Sequence, residues 1–198
     1  TMKGLPEAIQ LIDQAIDRGQ KIVIVGDYDA DGATSTALMV LALRDMGANV
    51  EYLVPDRFKY GYGLTPAIAD LAFVNFTPDL LITVDNGISS HDGVKQAQDH
   101  GMQVIITDHH LTTKPTPKAE AVVNPNQLGC DFPSKALAGV GVAFYVLANL
   151  STHRKKLGKS CTVITNYLDL VALGTYSDGA SLDYNNRILV DAGLKRIQ

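Results

Sequence analysis

Asp27, Asp29 and Asp31 are the residues whose type and spacing first indicate chemistry in this chain. They alternate within a glycine-bounded stretch, residues 26 to 32, which directly follows four β-branched residues at positions 22 to 25. Three carboxylates held this close repel one another, and ordinary packing does not require them unless a cation neutralises their charge. A single aspartate at such a turn commonly caps a helix, but three within five residues cannot all do so. We therefore predict a metal site here.

An EF-hand loop is the other common way to place aspartates at alternate positions. Such a loop needs a helix before it and a glutamate at its twelfth position. Here a strand-like run precedes the acids, and the twelfth position counted from Asp27 is Leu38. The pattern therefore favours a strand-to-helix turn over an EF-hand.

Two further apolar runs also end in acids or histidines. Asp85 ends one run, and Asp108, His109 and His110 end another. Because the carboxyl ends of parallel strands share one edge of a sheet, we expect these side chains to converge with the three acids above. Each strand end alone could supply a helix N-cap, but a cluster of unpaired acids is too costly for that explanation to cover all three. Oxygen ligands with an imidazole suit Mn²⁺ or Mg²⁺ better than zinc.

Strands alternate with helices along the chain, which predicts an α/β fold with a doubly wound, mainly parallel sheet and helices on both faces. Apolar residues at helical spacing predict a covering helix over residues 5 to 18, ended by Gly19. The other predicted helices cover residues 33–46, 65–75, 91–100, 139–150 and 163–173, and the predicted strands cover 22–25, 50–54, 80–84, 103–107 and 121–123.

Three segments outside these strand ends also have compositions that could indicate a binding site. Residues 55 to 64 mix glycines, tyrosines and cations, so this loop could cradle a phosphate or stack a base, or could equally be a solvated connection. Gly139 and Gly141 lack the third glycine and the preceding strand of a dinucleotide site, which favours close helix packing. Residues 153 to 159 form a basic run that we interpret as a solvated connection.

The composition is that of an ordinary globular domain, with 198 residues, 46% hydrophobic and 19% charged. No run of apolar residues is long enough to cross a membrane and no signal peptide opens the chain, so we expect a cytoplasmic protein. Cys130 and Cys161 lack metal-site or disulfide spacing and are expected to be free thiols. The formal net charge of −4 argues against a broad basic surface, but bound cations would reverse the local sign and leave a polyanionic substrate open.

Four motifs follow one another along the chain: Gly26-Asp27-Tyr28-Asp29-Ala30-Asp31-Gly32, Val84-Asp85-Asn86-Gly87, Thr107-Asp108-His109-His110 and Gly174-Thr175-Tyr176-Ser177-Asp178. Together they resemble the motifs of the DHH phosphoesterases. The similarity is closest to the bacterial exonucleases of that family, which degrade single-stranded DNA from the 5′ end. It covers nearly the whole chain, but the fourth motif has Tyr176 and Ser177 before its acid where valine and alanine are usual.

The resemblance implies a role for each site residue. His110 would contact the scissile phosphate, and Asp108 would orient a neighbouring histidine. Arg57, Tyr62 and Gly63 would bind the substrate. Two divalent cations, Mn²⁺ or Mg²⁺, would be bridged by one of the carboxylates, Asp85, and held by the set Asp27, Asp29, Asp31, Asp85, His109 and Asp178.

The same resemblance implies a setting and an extent. It implies release of 5′-mononucleotides from single-stranded DNA in DNA repair and recombination, with a single-strand-binding protein or a helicase as candidate partners. We expect a monomer. Residues 1 to 198 would be the catalytic domain of a longer protein, and residues 186 to 198 would begin a helix that connects it to a further domain.

The sequence leaves two alternatives to a single-strand exonuclease open. The same chemistry could act on short oligonucleotides, cyclic dinucleotides or a phosphorylated nucleotide, as in other enzymes of the family. A catalytically silent scaffold that binds nucleic acid is the alternative outside the enzymes, although a silent site has no reason to keep six clustered ligands, five of them mutually repelling carboxylates.

Overall fold

The computed structural model describes all 198 residues, and its core is a parallel sheet of five strands in the order β2-β1-β3-β4-β5. The predicted α/β class and parallel sheet are confirmed. The strands are β1 (Lys21–Val25), β2 (Asn49–Leu53), β3 (Leu80–Val84), β4 (Gln103–Thr107) and β5 (Ala121–Val123), and the helices are α1 (Leu5–Asp17), α2 (Ala30–Asp45), α3 (Arg57–Tyr60), α4 (Pro66–Phe76), α5 (His91–Asp99), α6 (Gly139–Lys156), α7 (Leu168–Ser177) and α8 (Tyr184–Ile197).

Helices cover both faces of the sheet because successive strand residues point to opposite sides. Ile22 and Ile24 of β1 belong to the larger apolar cluster, which contains side chains of α1, α2, α6 and α7. Val23 and Val25 belong to the smaller cluster, which contains side chains of α4 and α5. Every residue of β3 is buried, as expected for a central strand with helices on both sides. No helix of the chain is long and apolar enough to cross a membrane.

Helix α2 begins three residues earlier than the apolar pattern predicts. Asp29 is its N-cap, and the side chain of Asp29 accepts a hydrogen bond of 2.8 Å from the backbone N–H of Gly32. The predicted start at Ala33 is therefore wrong. The apolar pattern misses the first turn because neither Asp29 nor Asp31 is apolar. Asp31 instead lies in the first turn, where a negative charge interacts favourably with the helix dipole.

The 55 to 64 segment contains a helical turn, α3, which the sequence pattern does not predict. Asp56 caps it by accepting a hydrogen bond of 2.9 Å from the N–H of Phe58. Arg57 is the first residue of this turn, so the connection is helical rather than extended at Arg57.

The basic run is not a solvated connection, because α6 continues through Lys156. Arg154 is buried, and its Nη1 lies 2.5 Å from Asp13 and 3.1 Å from Asp17, both on α1. Lys159 contacts the same two aspartates, at 2.7 and 2.5 Å. The run therefore joins α6 to α1 through an ion cluster whose Arg154–Asp13 pair is buried and whose Asp17 is exposed.

The last two helices also differ from the predicted boundaries. A single turn of 3-10 helix covers Ile164–Tyr167, and α7 then runs past Gly174 to Ser177. Gly174 does not end the helix. A Cβ atom at Gly174 would lie 2.3 Å from the Thr34 hydroxyl, so this glycine permits α7 to approach α2 closely. Helix α8 packs on α7, since a Cβ at Gly193 would lie 2.1 Å from the carbonyl oxygen of Leu168.

The ion cluster gives a stability prediction. Arg154→Met keeps the aliphatic packing but removes the buried positive charge that faces Asp13. We therefore expect the free energy of unfolding to fall by about 3 kcal/mol. This value is at the low end for a broken buried pair because Lys159 still contacts Asp13. Lys155→Met is the matched control, since Lys155 is exposed on the same turn, and its effect should stay within about 0.5 kcal/mol. Urea unfolding curves measure both. Equal effects would show that the cluster contributes nothing specific.

Candidate metal centre

The predicted site residues lie at the point where the winding of the sheet changes direction. Strands β1 and β3 are neighbours, yet α2 follows β1 on one face and α5 follows β3 on the other. The two connections leave the strand ends in opposite directions, which opens a crevice at the carboxyl edge where ligands bind in such sheets. Asp27 follows the end of β1 by two residues, and Asp85 is the first residue after β3.

Asp31 is held by the backbone at the start of α6. It is buried, and its carboxylate accepts hydrogen bonds of 2.6 Å from the N–H of Gly139 and 2.8 Å from the N–H of Val140. These amides open α6, so the positive end of that helix faces the carboxylate. Burial still raises the pKa of Asp31 above its usual value, because these contacts and nearby His109 only partly offset the loss of hydration.

Asp85 has a left-handed backbone conformation, with a φ of 61°. That conformation is uncommon for a residue other than glycine, although aspartate and asparagine tolerate it best. The side chain of Asn86 stabilises the turn, because its Nδ2 donates hydrogen bonds to the carbonyl oxygens of Val25 at 3.2 Å and Val84 at 2.9 Å. A Cβ at Gly139 would lie 2.6 Å from the Asp85 carboxylate, so only glycine allows α6 to start here.

His109 brings a ring nitrogen into the carboxylate cluster. Its Nε2 lies 3.1 Å from Oδ1 of Asp85 and 3.8 Å from Oδ2 of Asp31. The ring N–H is not directed at either oxygen, so the Nε2 atom and Oδ1 of Asp85 are both buried without a hydrogen-bond partner. Such orphaned buried atoms fit a site that holds a cation between them.

The electrostatics of this pair are strongly perturbed. Burial raises the pKa of Asp85 to about 7, and the charges of Asp31 and Asp29 act in the same direction. Burial alone would lower the pKa of His109, but close contact with Asp85 and the charges of Asp31 and Asp178 outweigh it and raise the pKa to about 9. Both groups therefore bind protons near neutral pH in the metal-free chain, where a cation would compete with them.

Asp108 organises the second histidine. It is 1% exposed, and its Oδ1 lies 2.7 Å from Nδ1 of His110, while its Oδ2 accepts a 2.8 Å hydrogen bond from the N–H of Ile88. Burial would raise the pKa of Asp108, but the contact with His110 and the backbone hydrogen bonds lower it below its usual value. The same contact raises the pKa of His110, so the geometry favours an imidazolium next to a carboxylate.

The ligand atoms form three overlapping groups, each with all of its atoms within 4.8 Å of one another. Asp85 and His109 each belong to two of the groups, which is the arrangement expected if neighbouring cations share ligands. All six predicted metal ligands are brought together. The groups are Asp27 with Asp29 and Asp85, Asp31 with His109 and Asp178, and Asp85 with His109 and His110.

The predicted substrate residues lie beside this centre. Nη2 of Arg57 is 2.5 Å from Oδ2 of Asp27, and its guanidinium lies over the rings of Tyr28 and Tyr62, 4.2 and 4.9 Å from their centroids. The Tyr62 hydroxyl is 3.3 Å from Nε2 of His110, and burial raises the pKa of that phenol. Gly63 has a φ of 76° and lines the same cavity as Tyr62 and His110.

The N-terminus of α6 and the side chain of Asn86 are parts of this centre that the sequence motifs do not predict. The pair of glycines at 139 and 141 predicted close packing, and for Gly139 this is confirmed, but its neighbour is the Asp85 carboxylate rather than another helix. The available signal was a glycine at a helix start in a chain with unpaired acids. Asn86 could have been noticed because it follows Asp85 directly at a strand end.

Comparison with known proteins agrees with this geometry. The chain is 50% identical over 204 residues to the single-stranded-DNA-specific exonuclease RecJ of Escherichia coli, covering 100% of this chain and 35% of that protein. It matches the crystal structure of exonuclease RecJ bound to manganese with a TM-score of 0.86 and 38% identity, covering 100% of this chain and 49% of that one. RecJ from Thermus thermophilus in complex with Mn²⁺ gives a TM-score of 0.82 and 36% identity, covering 100% of this chain and 27% of that one.

The chain thus spans about a third of the length of the curated RecJ relative from Escherichia coli. Residues 21–175 match the DHH family, N-terminal domain, and this match includes every predicted site residue except Asp178. With most of its length matched, the chain belongs to the DHH family.

Proposed function

We propose that this chain is the catalytic domain of a metal-dependent phosphodiesterase that removes 5′-mononucleotides from single-stranded DNA. The observation that carries the proposal is the convergence of five aspartates and two histidines in overlapping groups at one sheet edge. Oxygen-rich groups of this kind suit Mn²⁺ or Mg²⁺, and the similar RecJ structures contain manganese. The similarity to enzymes named as single-strand-specific exonucleases supports the substrate and the chemistry.

Asp27, Asp29, Asp31, Asp85, His109 and Asp178 would hold two divalent cations, with Asp85 shared between them. The fit rests on the buried, unpartnered Oδ1 of Asp85 and Nε2 of His109, which face each other across 3.1 Å. When bound, two such cations supply a nucleophile at neutral pH and neutralise charge on the attacking and leaving oxygens of an in-line displacement at phosphorus.

His110 would act on the phosphate rather than on the cations. Its Nδ1 is held by Asp108 at 2.7 Å, which keeps the ring oriented and favours the protonated form. An imidazolium held in this way can donate a hydrogen bond to a phosphate oxygen as negative charge develops there. Asp108 is a positioning residue, because its two oxygens are already occupied by contacts inside the chain.

Arg57, Tyr62 and Gly63 would line the path of the strand. The guanidinium of Arg57 is already oriented by two tyrosine rings, so little conformational entropy is lost when it binds a phosphate. The side chain of Phe58 next to it is 97% exposed and available to a nucleobase. These contacts give affinity without base-edge readout, as expected for a nuclease that accepts any sequence.

A catalytic role is favoured over a silent scaffold because Asp85 and Asp31 are costly to keep. Burial raises the pKa of both carboxyls, so each lowers the stability of the metal-free fold near neutral pH. A scaffold would gain stability by replacing them. We place the activity in the cytoplasm, in DNA repair and recombination, with the domain acting as a monomer and with a single-strand-binding protein or a helicase as partner.

The proposed reaction is tested with a labelled single strand. With Mn²⁺ or Mg²⁺, the chain should release labelled mononucleotide at once from a 5′-labelled strand, and only at the end of digestion from a 3′-labelled one. A circular single strand and a blunt duplex of the same sequence should resist. Early release of the 3′ label, or cleavage of the circle, would contradict a 5′-end exonuclease, whereas hydrolysis of dinucleotides alone would favour the small-substrate alternative.

The division of labour between the site residues is tested by substitution. Asp85→Asn should weaken Mn²⁺ binding by at least about 100-fold and abolish cleavage, since losing even the partners of metal ligands costs 10- to 100-fold. His110→Ala should leave Mn²⁺ affinity within about threefold and slow cleavage by about 10²–10⁴-fold. His100→Ala is the control, because His100 pairs with Asp70 away from the site. Calorimetric titration separates the two effects, and equal loss of Mn²⁺ in both site variants would refute the assignment.

The pKa shifts predict how stability depends on pH. Folding raises the pKa of Asp85 from 3.8 to about 7 and that of His109 from 6.5 to about 9, so the folded chain binds more protons than the unfolded chain in both windows. The Tm of the metal-free chain should therefore fall as the pH rises through these windows, while Mg²⁺ competes with the protons and raises the Tm more at high pH.

Melting curves at about pH 5.5, 7.5 and 9, with and without Mg²⁺, measure both trends. His109→Ala should remove the contribution of the imidazole, and the decline that remains should come from Asp85 and lie at higher pH, because His109 lowers the pKa of that carboxyl. A stabilisation by Mg²⁺ that does not grow with pH would contradict proton competition at these two residues.

A further inference from the structure

The backbone of the histidine pair is bound entirely by side chains. The N–H groups of His109 and His110 both donate to Oδ1 of Asp108, at 2.7 and 3.1 Å. Their carbonyl oxygens accept hydrogen bonds from two asparagines, His109 from Nδ2 of Asn126 at 2.6 Å and His110 from Nδ2 of Asn124 at 3.0 Å. All four backbone polar groups of the pair are therefore engaged by three side chains rather than by a strand or helix.

The asparagines come from one short turn that follows β5. Asn124 is fully buried, and its Oδ1 accepts a 2.7 Å hydrogen bond from the N–H of Asn126, which fixes the turn. Lys135 donates to the carbonyl oxygen of Pro125 at 2.6 Å, and its own carbonyl oxygen accepts from Asn126 at 3.1 Å. The two amide groups are held by this network before any ligand binds.

We infer that Asn126 and Asn124 are positioning residues for the two histidines, Asn126 for the metal-facing ring of His109 and Asn124 for the phosphate-facing ring of His110. The inference rests on the proposed function for the roles of the rings. The hydrogen bonds from Asn126 and Asn124 to the two histidine carbonyl groups, which we call the clamp, are a feature of the chain alone. Each amide binds a different carbonyl group, so the two rings can be disturbed separately. A displacement of 1 Å in such a group is enough to cost about 100-fold in rate.

Isosteric variants separate positioning from folding. Asn126→Asp and Asn124→Asp keep the shape of the side chain and the acceptor oxygen but remove the donor to the histidine carbonyl group. Gln127→Glu is the matched control: Gln127 is buried in the same turn, and its Nε2 donates to Val122 and Lys3, away from the histidines. If the asparagines had a purely structural role, variants with the same loss of Tm would show the same changes in ring signals, Mn²⁺ binding and kcat.

The first measurement uses the metal-free chain and does not depend on activity. In two-dimensional NMR spectra of the histidine ring carbons, Asn126→Asp should shift the His109 signals most and Asn124→Asp the His110 signals most, while Gln127→Glu should shift neither. Ring signals that move equally in all three variants, or in none, would overturn the inference whether or not the chain is a nuclease.

The second measurement uses Mn²⁺ and a 5′-phosphorylated single strand. Asn126→Asp should weaken Mn²⁺ binding about tenfold, as expected when a ligand loses the group that orients it. Asn124→Asp should lower kcat about tenfold with Mn²⁺ affinity and KM within about twofold. Gln127→Glu should retain both constants. If the unsubstituted chain binds Mn²⁺ and both asparagine variants match Gln127→Glu, the clamp does not position the rings; if the unsubstituted chain binds no Mn²⁺, the proposed function fails and the NMR result alone decides the clamp.

Discussion

Repulsion among buried carboxylates at one sheet edge is the constraint on which the rest of this structure depends. Asp31 and Asp85 are each 2% exposed, and neither has an arginine or lysine as its partner. The chain offsets their charge with the amides at the start of α6, with the ring of His109 and, for neighbouring Asp27, with Arg57. Each of these contacts joins segments far apart in sequence, so the site and the fold stabilise each other.

The sheet topology explains why so few elements are needed to build the centre. The crevice between β1 and β3 brings the acids that follow them together without any long loop. Helix α6 then covers the edge with its N-terminus, and Asp178, which directly follows α7, joins Asp31 and His109. Two glycines, Gly139 and Gly174, allow these helices to approach closely enough to make the contacts.

The sequence was sufficient to predict the parallel sheet and the acids at its edge, because both depend on local signals: apolar runs of strand length, and polar residues directly after them. It was insufficient where distant contacts decide the outcome. Arg154 belongs to a basic run that looks solvated, yet it is buried against Asp13, 141 positions earlier in the chain. Gly174 has the local appearance of a helix stop and instead lies inside α7, because its role is set by Thr34 on another helix. The amides of α6 that bind Asp31 carry no side-chain signal at all.

The left-handed backbone of Asp85 limits how this position can evolve. Aspartate and asparagine are the residues besides glycine that adopt such a conformation most readily, so most other replacements would add backbone strain to the loss of the carboxylate. Asparagine has the same shape and removes the repulsion with Asp31. A single nucleotide change in an aspartate codon therefore leads to a chain that folds as well or better but lacks the carboxylate that two of the ligand groups share. Under the proposed function, one mutational step at Asp85 would remove the chemistry and keep the structure, which gives descendants of such a domain a direct path to a non-enzymatic role.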